Sequence, residues 1–181
     1  MIKCLFVLYL FFLFFGKTEA QFDTLFAKAN IRNCADSLCY GFKTKNWELY
    51  TRYSYPAMIG SFGGQDDFKK YMAMMFAPIP DSAWKVYAPG EILQIIKTEG
   101  DLQAEIELKS VLEWEGKLIT TVSYLVGESW NGGLHWTFFD SEGDHPKALM
   151  IKPDLNGQLI LPVKKETIEQ LSSKPKPKNK P

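Results

Sequence analysis

The chain has 181 residues, with 21 basic and 21 acidic side chains and a formal net charge of zero, which argues against a dedicated nucleic-acid binder because that class needs a basic excess. A hydrophobic content of 46% is enough for a real core and removes wholesale disorder, and the length fits one domain. Three cysteines are too few for a disulfide scaffold or a four-thiolate metal site.

The N-terminus reads as an address. Lys3 precedes an unbroken apolar run from Cys4 to Phe15, and Thr18-Glu19-Ala20 place small residues at the −3 and −1 positions before Gln21. That layout predicts a cleaved export signal over residues 1–20. The run is shorter than the roughly 20 residues a membrane-spanning helix needs. The expected product is secreted or periplasmic, with no stable membrane span.

From Asp23 to Phe42, apolar residues at Ala27, Ile31, Ala35, Leu38 and Phe42 form one stripe of a helix. Cys34 and Cys39 lie on it five positions apart, about 8 to 9 Å on a straight helix and beyond disulfide reach. They read as two partly buried thiols, paired only if the helix bends between them. A second helix, Lys45 to Tyr53, stops before Pro56, which biases the preceding residue out of the α region. Ala57 to Phe62 reads as a short edge strand. Gly63-Gly64 then turns the chain into a third helix, with Asp66 and Asp67 in its first turn and Phe68, Tyr71, Met72 and Met75 as its stripe. Pro78 and Pro80 close it.

The remainder alternates. Trp84 to Thr98 is a strand bent at Pro89-Gly90, and Gly100-Asp101 makes a turn. Leu102 to Trp114 is the clearest period-two run: Leu102, Ala104, Ile106, Leu108, Ser110, Leu112 and Trp114 share one face, while Gln103, Glu105, Glu107, Lys109, Glu113 and Glu115 form most of a polar face. Strands over Leu118 to Glu128 and Leu134 to Phe139 follow. A weaker strand is expected at Ala148 to Ile151 and a helical turn or two within Val163 to Leu171. Residues 172–181, where Lys174, Lys176, Lys178 and Lys180 alternate with prolines, predict a solvated, extended tail.

Helices followed by a bent antiparallel meander indicate the α+β class. The run Trp47-x-x-Tyr50-x-x-Tyr53-x-Tyr55-Pro56, then Gly63-Gly64, a helix and long strands, resembles the nuclear-transport-factor-2-like superfamily, the cystatin-like α+β barrels, including its small secreted bacterial members. The resemblance covers about Phe22 to Pro162. It implies three N-terminal helices packed on a curved, mainly antiparallel sheet, a cone-shaped α+β barrel forming one domain over residues 21–171. Relatives on such folds often pair through the sheet face, so a homodimer is expected.

Two patterns bear on function. Ser129-Trp130-Asn131-Gly132-Gly133-Leu134-His135-Trp136 resembles an Asp-box, with Asn131 where Asp is usual. A short polar side chain there closes a turn onto backbone N–H groups, glycine supplies positive φ, and the Trp packs beneath. One copy reads as a stapled hairpin, with carbohydrate recognition as the functional alternative. The second pattern is aromatic. Trp47, Tyr50, Tyr53, Tyr71, Trp84, Trp114, Tyr124 and Trp136 either fill the core or converge on a pocket for an apolar ligand.

Ketosteroid-isomerase-like relatives of this fold use a cavity Asp as general base. The inward face of Leu102 to Trp114 is apolar apart from Ser110, so no catalytic residue is carried over. His135 is expected to be exposed. The turn Asp140, Glu142, Asp144, His145 matches no metal-ligand spacing and reads as a solvated loop. No metal or cofactor is expected. The favoured expectation is a non-catalytic domain that binds a small apolar ligand or a protein partner. The alternatives are an isomerase-like or hydrolytic enzyme with a cavity acid/base, and a structural envelope protein.

Overall fold

The computed structural model describes residues 23–171; the signal segment expected at 1–20 and the tail at 172–181 lie outside the described residues. The first helix, α1 (Thr24–Lys43), is capped by Asp23, whose carboxylate accepts the backbone N–H groups of Leu25 and Phe26. All five residues of its expected stripe are buried. At its end, a Cβ on Gly41 would lie 2.8 Å from the Tyr50 backbone nitrogen, so glycine allows α2 (Trp47–Tyr53) to cross closely.

Residues 57–62, expected as an edge strand, instead lie largely in α3 (Pro56–Ser61). Pro56 sits in the first turn, where its missing N–H costs nothing. The extended backbone falls one step earlier: Ser54 bridges Phe138, and Tyr55 N–H donates to the Phe138 carbonyl at 2.8 Å. The next helix, α4 (Gln65–Phe76), carries Asp66 and Asp67 in its first turn as expected. A 3-10 turn, Asp81–Ala83, leads into the sheet.

Five antiparallel strands make a curved, open sheet: β1 (Trp84–Lys97), β2 (Leu102–Trp114), β3 (Lys117–Ser129), β4 (Thr137–Asp140) and β5 (Lys165–Gln170). The chain is thus α+β, helices followed by sheet. Register shifts along β1 around Val86, Pro89 and Ile92 break its pairing with β2 and bend it. β3 is the shared spine. Its residues 125–128 pair with β4, and residues 117–122 pair with β5.

Two expectations near the C-terminus are corrected. Residues 148–151 belong to a helix, α5 (His145–Ile151), because Asp144 accepts the Lys147 N–H and Pro146 occupies the first turn. Residues 165–170 form β5, because pairing with β3 supplies the partners an isolated helical turn lacks.

The helix-facing side of the sheet packs Leu102, Ala104, Ile106, Leu108, Leu125 and Phe138 against the α1 stripe and Trp136. Each fully buried aliphatic side chain of this kind contributes roughly 1.5–3 kcal/mol. The opposite face is also covered, by α5 and the segment after it. There Val126 and Phe139 pack with Tyr55, Ala148, Leu155 and Leu159. The alternation of β2 is therefore not inside against solvent. Gln103 and Glu105, on its polar face, are each only 1% exposed.

Candidate functional site

A cleft of about 470 Å³ opens at the β4 edge of the sheet, away from the helix-facing core. Thr51 and Arg52 come from the end of α2, Pro56 and Ile59 from α3, Gln65 from the start of α4, and Glu128, Trp130, Asn131, His135 and Thr137 from β3, the following loop and β4. The Ser54–Phe138 bridge ties the two walls together.

The wall loop closes as its residues dictate. Asn131 Oδ1 accepts from Ser129 Oγ at 3.0 Å and from His135 N at 2.9 Å, while Ser129 Oγ accepts from Gly133 N. Gly132 and Gly133 both have positive φ, 73° and 91°, which a β-carbon would resist. Trp136 is fully buried and donates its Nε1–H to the Gly133 carbonyl. This is the stapled turn expected from the motif. Trp130 at its apex is 64% exposed, and His135 is exposed and packed on Tyr53.

Behind that loop lies a charge cluster. Lys152 is fully buried, and its Nζ meets Asp101 at 2.9 Å, Asp154 at 3.1 Å and Glu128 at short range. The other oxygen of Glu128 accepts the Trp130 Nε1–H, and Lys152 Nζ stands 5.5 Å from the Trp130 ring and 5.9 Å from that of Tyr55. Gln103 donates to Asp101 and to the Asp154 carbonyl. Among the described residues, Asp101, Glu128 and Asp154 form the set whose oxygens lie within 4.8 Å of one another, as a divalent cation would require, and the Lys152 ammonium stands between them.

Burial opposes the charge on Lys152, but the hydrogen bonds it donates to Glu128, Asp101 and Asp154 more than reverse it and hold the ammonium above its ordinary range. Burial also pushes Asp101 up, yet donors from Thr98, Lys152 and Gln103 outweigh it and keep the carboxyl below its usual range. On Glu128 burial wins, and the carboxyl is raised. Asp101 is thus the firmly charged partner and Glu128 the more easily protonated one.

None of the eight aromatic residues singled out from the sequence lines this cleft. Trp47, Tyr50 and Trp84 gather with Phe76 and Tyr87 around Phe42, whose ring stacks on Tyr87 at 4.1 Å and meets Trp84 at 5.2 Å. They fill the hollow between helices and sheet. Trp136 belongs to the α1 cluster, with Tyr53 partly buried against it. Tyr71 is 38% exposed and packs on Phe62, Trp114 lies near the far end of β2, and Tyr124 pairs with Glu107 on the outer sheet face. The hollow is not wholly apolar. Asp140, opposite Leu125 and bonded by Ser123 Oγ at 2.9 Å, faces it with a carboxyl raised by burial. Its other oxygen caps the Glu142 N–H, and Asp144 caps α5, so the acidic turn is used in local hydrogen bonds.

Of the residues that shape the cleft from behind, Asp101 was marked only as a turn residue and Lys152 carried no sequence signal beyond its type. Trp130 was marked as a member of the turn motif and Glu128 only by adjacency to it. Cys34 and Cys39 are free and buried, and burial lifts the Cys39 thiol to about 12. No helix among the described residues is long and apolar enough to cross a membrane. Comparison with protein-family models, curated proteins and solved structures finds no match to this chain.

Proposed function

We propose that this chain is an exported binding module, non-catalytic, that takes a small ligand with an apolar face into the cleft beside Trp130. The observation that carries this reading is the pinned indole. Glu128 holds its N–H, Lys152 stands behind its ring, and three carboxylates hold Lys152. An exposed tryptophan would ordinarily lose rotamer freedom on binding; one already fixed gives up less. Pro56 and Ile59 supply apolar wall opposite, and Arg52, Asn131 and His135 supply polar handles at the rim.

A second reading, acid catalysis by Glu128, draws on its raised carboxyl in the cleft wall. Both of its oxygens are already engaged, by Lys152 and Trp130, which favours binding over proton transfer. Membership of the nuclear-transport-factor-2-like superfamily is likewise proposed, supported by the order of helices and curved antiparallel sheet. A homodimer through the sheet is also proposed, supported by Ile168 on β5, which is 55% exposed and paired with Ile119.

Titration of the full chain with the apolar dye 8-anilinonaphthalene-1-sulfonate tests the cleft. One dye per chain is expected, and Trp130→Ala weakens it about tenfold, which corresponds to ~1.4 kcal/mol. Unchanged affinity in Trp130→Ala overturns the proposal.

A further inference from the structure

The segment between α5 and β5 lies on the outer face of the sheet and is held there by two glutamines acting as backbone partners. Gln103 on β2 accepts the Asn156 N–H at 2.8 Å and donates to the Asp154 carbonyl. Gln94 on β1 accepts the Ile160 N–H at 3.1 Å and donates to the Gln158 carbonyl at 3.0 Å. Leu155 and Leu159 bury themselves between these attachments, against Val126.

Glu105 sits in the middle of this arrangement. It is directly opposite Gln94 on one side and Val126 on the other, and two residues along β2 from Gln103. It is 1% exposed, and its Oε1 has no hydrogen-bond partner. A carboxylate left so costs several kilocalories unless it keeps its proton.

We propose that residues 154–161 form a pH-sensitive strap, which lies on the sheet while Glu105 is neutral and lifts when Glu105 ionises. No charged side chain occurs in residues 155–161 to compensate the anion. The ionisable neighbours on the same face are engaged, of the wrong sign, or directed at Glu107. On β2, Glu107 is paired with Lys109 at 3.1 Å, and the Tyr124 phenol on β3 has no positive charge to offer. On β5, Lys165 lies near Glu107. At the strap's start, Lys152 is committed to Asp101, Glu128 and Asp154. β1 presents only Gln94 and Ile96 to this stretch of β2.

Burial raises the Glu105 carboxyl from its ordinary value to about 7, which places the transition in a physiological range. The sign follows. The docked state holds a proton that the open state releases, so docking weakens as pH rises from about 4.5 through about 7. Because Asp154, the first residue of the strap, bonds Lys152 just before it, lifting the strap loosens the support beneath Trp130. That consequence regulates the cleft and rests on the binding proposal, whereas the strap motion does not.

Hydrogen–deuterium exchange of the full chain, read without ligand, tests it. After correction for intrinsic rates, amides within residues 155–161 lose at least about tenfold protection between pH 5.5 and pH 8, while α1 amides hold theirs. Glu105→Gln keeps the strap protected at both values. Gln94→Ala lowers its protection at both while retaining the pH dependence. Strap protection that ignores pH, a pH response spread evenly over α1, or an unchanged response in Glu105→Gln overturns the proposal. Each can occur with the dye result intact, so the two proposals fail separately.

Discussion

The hollow around Phe42 and the seam around Lys152 are both buried, and they are built on opposite physics. In the hollow, five aromatic rings enclose a sixth at centroid distances of 4.1 to 6.0 Å, and shape decides how they fit. In the seam, one ammonium is surrounded by three carboxylates, two of them nearly inaccessible, and charge balance decides it. The hollow tolerates no missing volume, and its one carboxyl, Asp140 at the edge, is raised by burial rather than held charged by a cation. The seam tolerates no missing partner and is tied to pH. The cleft draws on the seam, which shows where this chain concentrates its polar structure.

Substitutions sharpen that contrast. Phe42→Ala should cost most, about 4 kcal/mol, because the surrounding rings cannot collapse into the space; urea unfolding measures it, with the same loss at pH 5 and pH 8. Lys152→Met should cost about 3 kcal/mol at pH 7 by leaving Asp101 and Glu128 buried without a cation. Its cost depends on pH. Asp101 is held below its usual range, so the stability it contributes is present above about pH 4 and is lost as pH falls through its folded value. The Lys152→Met deficit should therefore shrink towards pH 3, and a deficit that stays constant would place the seam with the hollow. The smallest effect belongs to the wall loop. Asn131→Ala removes the acceptor for Ser129 and His135 and should cost about 1 kcal/mol, whereas Asn131→Asp, which keeps an acceptor oxygen there, should unfold within a degree or two of the parent.

The elements legible from the sequence were those fixed by local periodicity or capping. The stripe of α1, the acidic start of α4, the alternation of β2 and the turn at Asn131 all depend on residues near one another in the chain. The errors arose where a distant segment changed the meaning of a pattern. Residues 165–170 are a strand because β3 offers them an open edge, which nothing in Lys165 to Gln170 announces. Gln103 and Glu105 are buried because a segment some fifty residues later folds over them, as the Gln103–Asn156 bond shows. The candidate site suffers from the same blindness. Asp101, Glu128 and Lys152 come from a turn, a strand end and the end of a helix, and no spacing rule links them. The eight aromatic residues lie away from the cleft for a related reason. Composition counts rings but does not say that Phe42 stands among them and fills the space.

The divided partnership of β3 has a consequence for how the protein is made. One end of that strand is zipped by β4 soon after it is synthesised; the other waits for residues 165–170, which follow later in the chain. Until those arrive, Lys117 to Val122 presents a bare row of amides and carbonyls that any extended chain can join. The last strand thus works as a closing seal. Ribosome stalling or proteolysis just upstream of it would leave nascent chains prone to stick to one another, even with every helix and the cleft already formed.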